Sequence, residues 1–218
     1  MSSKIKVDFR SYIKSVAELF YWKFKKLTEK DLTNWHYKYF YTTNFDLSDS
    51  FYEDKVILDI GCGPRGSLEW ADMTKERYGI DPLIHKYQNL GLDKHKMKYV
   101  QGYSENLPFD DHYFDVICSF NSIDHVDDIR LTSEEIKRTL KKGGLFLLMV
   151  DIHQSPTITE PQTLKWDFLK EYFPEFTVLE ERHLHQVKKR ALYSNVRKND
   201  VVSNESAKYG VLVAKLKK

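Results

Sequence analysis

The chain has 218 residues, of which 41% are hydrophobic and 14% aromatic, and its formal net charge is +2. This composition excludes a disordered protein, the length suits one medium domain with a core of its own, and the charge points neither towards nor away from nucleic acid. No stretch approaches the roughly 18 consecutive apolar residues of a membrane span, and the N-terminus does not read as a signal peptide. Cys62 and Cys118 lack the paired spacing of a zinc or redox site, so reduced thiols in a cytoplasmic protein are the expectation.

In chain order, the first pattern is helical. Phe9, Tyr12, Ile13, Val16, Leu19, Phe20, Phe24 and Leu27 recur at helix spacing with lysines opposite, which predicts a helix packed on the domain through that stripe. A helix lying in a membrane surface is the competing reading. The aromatic segment "NWHYKYFYTTNF" follows, and Trp35, His36, Tyr37, Tyr39 and Tyr41 could line a pocket. No linker separates segments, but residues 1–50 read as an N-terminal helical lid and 51–218 as a ligand-binding domain.

From Lys55 the pattern alternates. "KVILDI" reads as a strand, "SLEWADMT" as a short helix, "RYGID" as a strand, "PLIHKYQNLG" as a helix, and "MKYVQG" and "YFDVICSF" as strands. "RLTSEEIKRTLKKGG" has the early acids, late bases and terminal glycines of a helix, and "LFLLMVDI" is an apolar strand. Such alternation predicts a doubly wound parallel sheet. "TLKWDFLKEYF" adds a helix before Pro174. "FTVLEERHLHQ" and "YGVLVAKLK" then read as strands with no helix between them, hence an antiparallel pair closing the sheet.

The chemistry concentrates in "VILDIGCGPRGSLEW", where a strand runs into Gly61, Gly63 and Gly66. Glycines let backbone N–H groups approach a ligand closely. The loop lacks the Lys-Ser or Lys-Thr of a triphosphate site. Asp81 ends the next strand, where a carboxylate can accept from ribose hydroxyls of either NAD or S-adenosylmethionine. Asp59 separates the two. A carboxylate beside the loop repels a pyrophosphate and favours a ligand carrying a sulfonium and an ammonium.

Taken together, "VLDIGCGPRGS", Asp81, "GYSENLPFDDHYFDVI" and the closing strand pair resemble the class I S-adenosylmethionine-dependent methyltransferases, in particular the single-domain type acting on small molecules. The resemblance covers residues 52 to 152 and, more loosely, the C-terminal third. It implies an α/β Rossmann-like fold with a seven-stranded mixed sheet, a C-terminal antiparallel strand pair and an N-terminal helical lid. It also implies that Asp59, Gly61 and Gly63 hold the methionine part of the cofactor, and that Asp81 binds the ribose with Pro82 or Leu83 beside the adenine. Asn121 would lie near the methionine moiety. Where the family usually has an acid for the adenine amino group this chain has Tyr103, so the expectation is that Ser104 or Glu105 substitutes or that the contact is made by backbone alone.

Methyl transfer to an oxygen needs a positioned acceptor and a route for its proton. Strand ends carry the candidates: "NSIDHVDD" and "DIHQ". His125 is the expected general base, with Asp124 orienting it or acting instead, and Asp151 and His153 as a second pair. A metal held by Asp124, Asp151 and His153 is conceivable, but none is assigned. Nucleic-acid targets are not expected, because Asn121-Ser122-Ile123-Asp124 departs from the Asn/Asp-Pro-Pro-aromatic pattern of amino-methylating enzymes of this fold. The expected function is methyl transfer to a small molecule, at oxygen before nitrogen or carbon, with no membrane partner. The rivals are a nicotinamide-dependent oxidoreductase and a domain that binds the cofactor without turnover.

Overall fold

The computed structural model describes residues 9–153, 155–157, 160–187, 191–202 and 208–218, with backbone alone over 9–12. Seven strands form one sheet: β1 Val56–Ile60, β2 Glu76–Asp81, β3 Lys98–Gln101, β4 Phe114–Phe120, β5 Leu140–Ile152, β6 Thr177–Leu184 and β7 Gly210–Lys217. Their order is β3-β2-β1-β4-β5-β7-β6. β1 to β5 run parallel, whereas β7 pairs antiparallel with both β5 and β6. The closing antiparallel pair expected from the sequence is therefore present.

Alternate residues of the central strands feed two cores. Ile57, Val116, Leu147 and Val213 pack with Phe40 and Tyr41 of α2 (Lys38–Tyr41), Tyr87 of α3 (Ile84–Tyr87) and Val196 of α6 (Leu192–Lys198). Leu58, Ile117, Phe146 and Leu212 pack instead with Ile129 and Ile136 of α4 (Ile129–Thr139) and Phe168 of α5 (Phe168–Tyr172). Burial on both faces explains why "VILDI" and "LFLLMVDI" are apolar runs rather than alternating ones. Each such aliphatic side chain contributes ~1.5–3 kcal/mol by leaving water.

Four elements depart from the sequence expectation. "SLEWADMT" forms turns, not a helix. Only nine residues, 67–75, separate the glycine loop from β2, and Arg77 holds them open by donating to the carbonyls of Leu68 and Glu69. The helix predicted from Arg130 up to the glycines at 143 and 144 ends at Thr139, because Leu140 pairs with Phe114 as β5 begins. The helix predicted over 163–173 is confined to α5. A helix, α6, stands between β6 and β7, where none was expected, burying Leu192, Asn195 and Val196.

The helix α1 (Phe9–Glu29) is present as predicted, but its stripe is not turned to the core. Leu19 and Trp22 pack on the domain, while Ile13, Val16, Phe20, Phe24 and Leu27 are exposed, Phe20 by 71% and Leu27 by 81%. The Phe9 and Tyr12 side chains lie outside the described residues. Polar anchors fix the inner face instead. Lys14 donates to the carbonyl of His125, Lys26 to that of Asn89 at 2.8 Å, and Arg65 pairs with Glu29 at 2.8 Å. The helix thus straps the C-terminal edge of the sheet. No helix among the described residues is long and apolar enough to cross a membrane.

Candidate active site

The order of strands reverses between β1 and β4, and such a switch point opens a crevice at the carboxyl ends of the strands. A cavity of about 620 Å³ lies there. Its floor is the end of β1 with the glycine loop, its sides are the ends of β2, β3 and β4, and the inner face of α1 forms its roof. All eight residues expected to hold the cofactor, Asp59, Gly61, Gly63, Asp81, Pro82, Ser104, Glu105 and Asn121, line this one cavity.

The glycine loop is shaped by its neighbour across the crevice. Gly61 has φ +70°, and a Cβ there would stand 2.3 Å from Cβ of Ser122. Ser122 is in turn fixed by donating to the carbonyl of Ile60 at 2.7 Å and by a 2.7 Å hydroxyl contact with Ser119. Asn121, beside it, takes the left-handed conformation at φ +57°, turning the chain out of β4. Turns, not a helix, follow the loop over residues 67–75, so the positive helix end that usually receives a pyrophosphate directly after such a loop is not formed by this segment.

Carboxylates dominate the electrostatics. Asp59 is 3% exposed, and its Oδ2 accepts from Tyr41 at 2.9 Å and from Ser67. Burial nonetheless pushes its pKa up to about 7. Asp81 accepts from the backbone of Leu83 at 2.8 Å and Gly63 at 3.2 Å, and burial raises it to about 6. Glu18 of α1 faces Asp81, and enclosure by the protein, with Asp81 second, raises it to about 7. Against these three acids, and Glu105, Asp127 and Glu160 further along the wall, stand two lysines, Lys86 and Lys14, of which Lys14 acts to lower Glu18 and Asp81. A cavity short of positive charge fits a cationic ligand and opposes an anionic one.

Ser104 and Glu105 reach the wall but have other partners. Ser104 Oγ lies 3.0 Å from Thr132 Oγ1, and Glu105 accepts from the backbone of Asp127 at 2.8 Å, bracing the start of α4. Tyr103 is exposed at the same rim. Among the aromatic candidates, Tyr37 and Tyr41 line the cavity, whereas Trp35, His36 and Tyr39 do not. Trp35 is 78% exposed, and Tyr39 receives the guanidinium of Arg197 over its ring at 4.6 Å.

The expected catalytic trio is brought together. Asp124 is 1% exposed, with Nε2 of His125 3.9 Å from one carboxylate oxygen and Nε2 of His153 3.9 Å from the other. His125 lines the cavity; Asp124 and His153 stand behind it. Burial, with Glu160 second, raises Asp124 to about 7. Asp124 Oδ1 and His153 Nε2 are buried without a hydrogen-bond partner among the described residues, which leaves both atoms available to a ligand. Asp151 lies nearby, raised to about 6 by burial and then by Asp124, and accepts from Gln186 at 3.3 Å.

Sequence reasoning missed the contributions from outside the sheet. Lys14, Glu18, Tyr21 and Trp22 come from α1, Tyr193 from α6, and Glu160 from the "PTITEP" loop. Glu160 is held where its backbone N–H donates to Thr157 Oγ1 at 2.9 Å. One atom each of Asp124, His125 and Glu160 lie within 4.8 Å of one another, a spacing that a divalent cation could bridge. The prolines that bracket this segment, Pro156 and Pro161, are the sequence signal that could have pointed to it. Its other residues 158 and 159 lie outside the described residues.

Fold and site together define a doubly wound α/β domain with a cavity suited to a cationic, nucleoside-bearing cofactor. Comparison with known proteins narrows this. Residues 58–148 match the family model of a methyltransferase domain. The uncharacterized methyltransferase YcgJ of Bacillus subtilis is 31% identical over 99 residues, 43% of this chain and 39% of that protein. The sterol 4-C-methyltransferase strm-1 of Caenorhabditis elegans is 31% identical over 104 residues, 44% of this chain and 31% of that one. Each match spans well under two thirds of these relatives' own length. The solved structure of YcgJ has a TM-score of 0.54 at 17% identity, covering 80% of this chain and 95% of its own. A methyltransferase structure from Mesorhizobium loti gives 0.59 at 13% identity, covering 77% and 92%. Over residues 58–148 the chain is similar to a methyltransferase domain, and it shares its fold with these solved methyltransferase structures.

Proposed function

We propose that this protein transfers a methyl group from S-adenosylmethionine to a small molecule, at an oxygen. The observation that carries the reading is the cavity at the β1/β4 switch point, lined by buried Asp59 and Asp81 beside a glycine loop and by His125. S-adenosylmethionine, when bound, supplies the electrophilic methyl.

The chain's own residues divide the remaining work. Asp59 and the Gly61–Gly63 backbone hold the cationic methionine part, and Asp81, already oriented by Gly63 and Leu83, accepts from the ribose hydroxyls. Pro82 flanks the adenine, Ser104 and Glu105 form the adenine rim, and Asn121 borders the methionine part. His125 receives the acceptor's proton as the methyl is transferred, and Asp124 stabilises the imidazolium that results. His153 fixes the far side of Asp124. Tyr21, Trp22, Tyr37, Tyr41, Phe120 and Tyr193 give the cavity aromatic faces that suit an apolar or ring-bearing acceptor.

The relatives' names favour an apolar acceptor too, since they include sterol methyltransferases and a phthiotriol/phenolphthiotriol dimycocerosates methyltransferase of Mycobacterium ulcerans. The sterol enzymes are named for carbon methylation, which is the second reading. The test is a thermal-shift titration with S-adenosylmethionine, S-adenosylhomocysteine and NAD(H), followed by a screen of phenols, alcohols and sterols with a labelled methyl donor. A ligand at about 100 times its Kd stabilises by ~2.7 kcal/mol. Stabilisation by NAD(H) alone would end the methyltransferase reading. Label recovered only at carbon would replace the oxygen assignment.

A further inference from the structure

The outward face of α1 is the largest feature that the proposed reaction leaves unused. Ile13, Val16, Phe20, Phe24 and Leu27 form one exposed apolar stripe along the helix, while its opposite face roofs the cavity. A soluble helix normally buries such a stripe, and a contiguous exposed apolar patch marks an interaction surface.

The charges around the stripe identify what it meets. Exposed Lys23 and Lys30 flank it, and the two acids among the described side chains of α1, Glu18 and Glu29, both sit on the inner face, near Asp81 and on Arg65. The outer face is therefore apolar and cationic. Charge argues against a second copy of the chain, because a copy docked on this face would bring its own Lys23 and Lys30 to the margin with no acid to pair them, both acids of α1 being on the inner face. Lysines at the margin of an apolar face are instead suited to a lipid interface, where the stem lies along the acyl boundary and the ammonium meets an anionic headgroup.

We propose that α1 docks the protein flat on an anionic membrane surface, with Phe20, Phe24 and Leu27 inserted at the acyl boundary. The helix that roofs the cavity thereby faces the bilayer, so an apolar acceptor can be collected from the lipid phase. That last clause rests on the proposed methyltransferase reading; the docking itself does not.

The experiment is flotation of the full chain with vesicles of phosphatidylcholine, with and without phosphatidylglycerol, at low and high salt. Wild type is expected to float with the anionic vesicles, less so at high salt. The double variant Phe20→Ser/Leu27→Ser should lose at least tenfold in bound fraction, and Lys23→Glu/Lys30→Glu should lose the preference for phosphatidylglycerol. None of these four side chains lines the cavity, so S-adenosylmethionine affinity should be unchanged in both variants, which also reports that they fold. Absence of wild-type binding, or binding undiminished in Phe20→Ser/Leu27→Ser, would overturn the proposal. So would a dimer in sedimentation velocity that this double variant dissociates, since the face would then belong to a second copy. Loss of S-adenosylmethionine binding in the wild type would sink the enzymatic reading and leave the flotation result standing on its own.

Discussion

Asp59→Asn separates a residue that serves a ligand from one that serves the fold. In the protein, burial moves this carboxyl from 3.8 to about 7. The folded state therefore holds a proton that the unfolded chain has released between about pH 4 and pH 7, so the stability associated with Asp59 is present below pH 4 and is lost as pH rises through 7. Roughly three units at 1.36 kcal/mol each set an order-of-magnitude ceiling of ~4 kcal/mol on that loss. Asparagine keeps the shape and an oxygen to accept from Tyr41 and Ser67 but does not ionise. The variant should match wild type near pH 4 and exceed it at pH 8 by ~1–4 kcal/mol, a rise in Tm of about 2–4 °C per kcal/mol. Affinity for S-adenosylmethionine should move the opposite way. Removing a charge-assisted partner costs ~1.5–3 kcal/mol, about 10- to 150-fold in Kd. Thermal melts from pH 4 to 8 and isothermal titration with S-adenosylmethionine read the two effects. A variant that is less stable at pH 8 while binding the cofactor as tightly as wild type would refute the argument, because Asp59 would then be a structural acceptor only.

Other expectations follow from the same geometry. Asp81→Ala should remove most of the thermal shift produced by S-adenosylmethionine. His125→Ala should lower turnover by about 10²–10⁴-fold, the usual range for a general base, with cofactor affinity nearly unchanged; wild-type turnover would take His125 out of the mechanism. Gly61→Ala combines a left-handed φ with a 2.3 Å approach to Ser122 and should cost ~3 kcal/mol, or about 6–12 °C in Tm. Activity is expected to survive EDTA. Loss that Mg²⁺ or Mn²⁺ restores would reassign Asp124, His125 and Glu160 from proton handling to metal binding.

The amino-acid sequence by itself determined the frame of this protein. Apolar runs such as "VILDI" and "LFLLMVDI", separated by polar segments, have one low-energy arrangement, parallel strands covered on both faces. Asp59, Gly61, Gly63 and Asp81 were legible because strand ends and tight loops are local features, set by φ and by spacing along a single element. The antiparallel ending was legible for the same reason. Tertiary structure decided what depends on distant partners. Whether "SLEWADMT" coils or turns hung on Arg77 and the short path to β2, and the α6 helix formed because Leu192 and Val196 found a core to enter. The stripe of α1 carries the same periodicity whether it faces in or out. Ion pairs and hydrogen bonds from Arg65, Lys26 and Lys14 chose the polar face for the domain and left the apolar one to the surroundings. Glu18, Glu160 and Tyr193 joined the cavity, and His153 came to stand across Asp124 from His125, through contacts between segments far apart in the chain. No spacing rule records such contacts, because the free energy that makes them is shared among elements that meet only in the folded state.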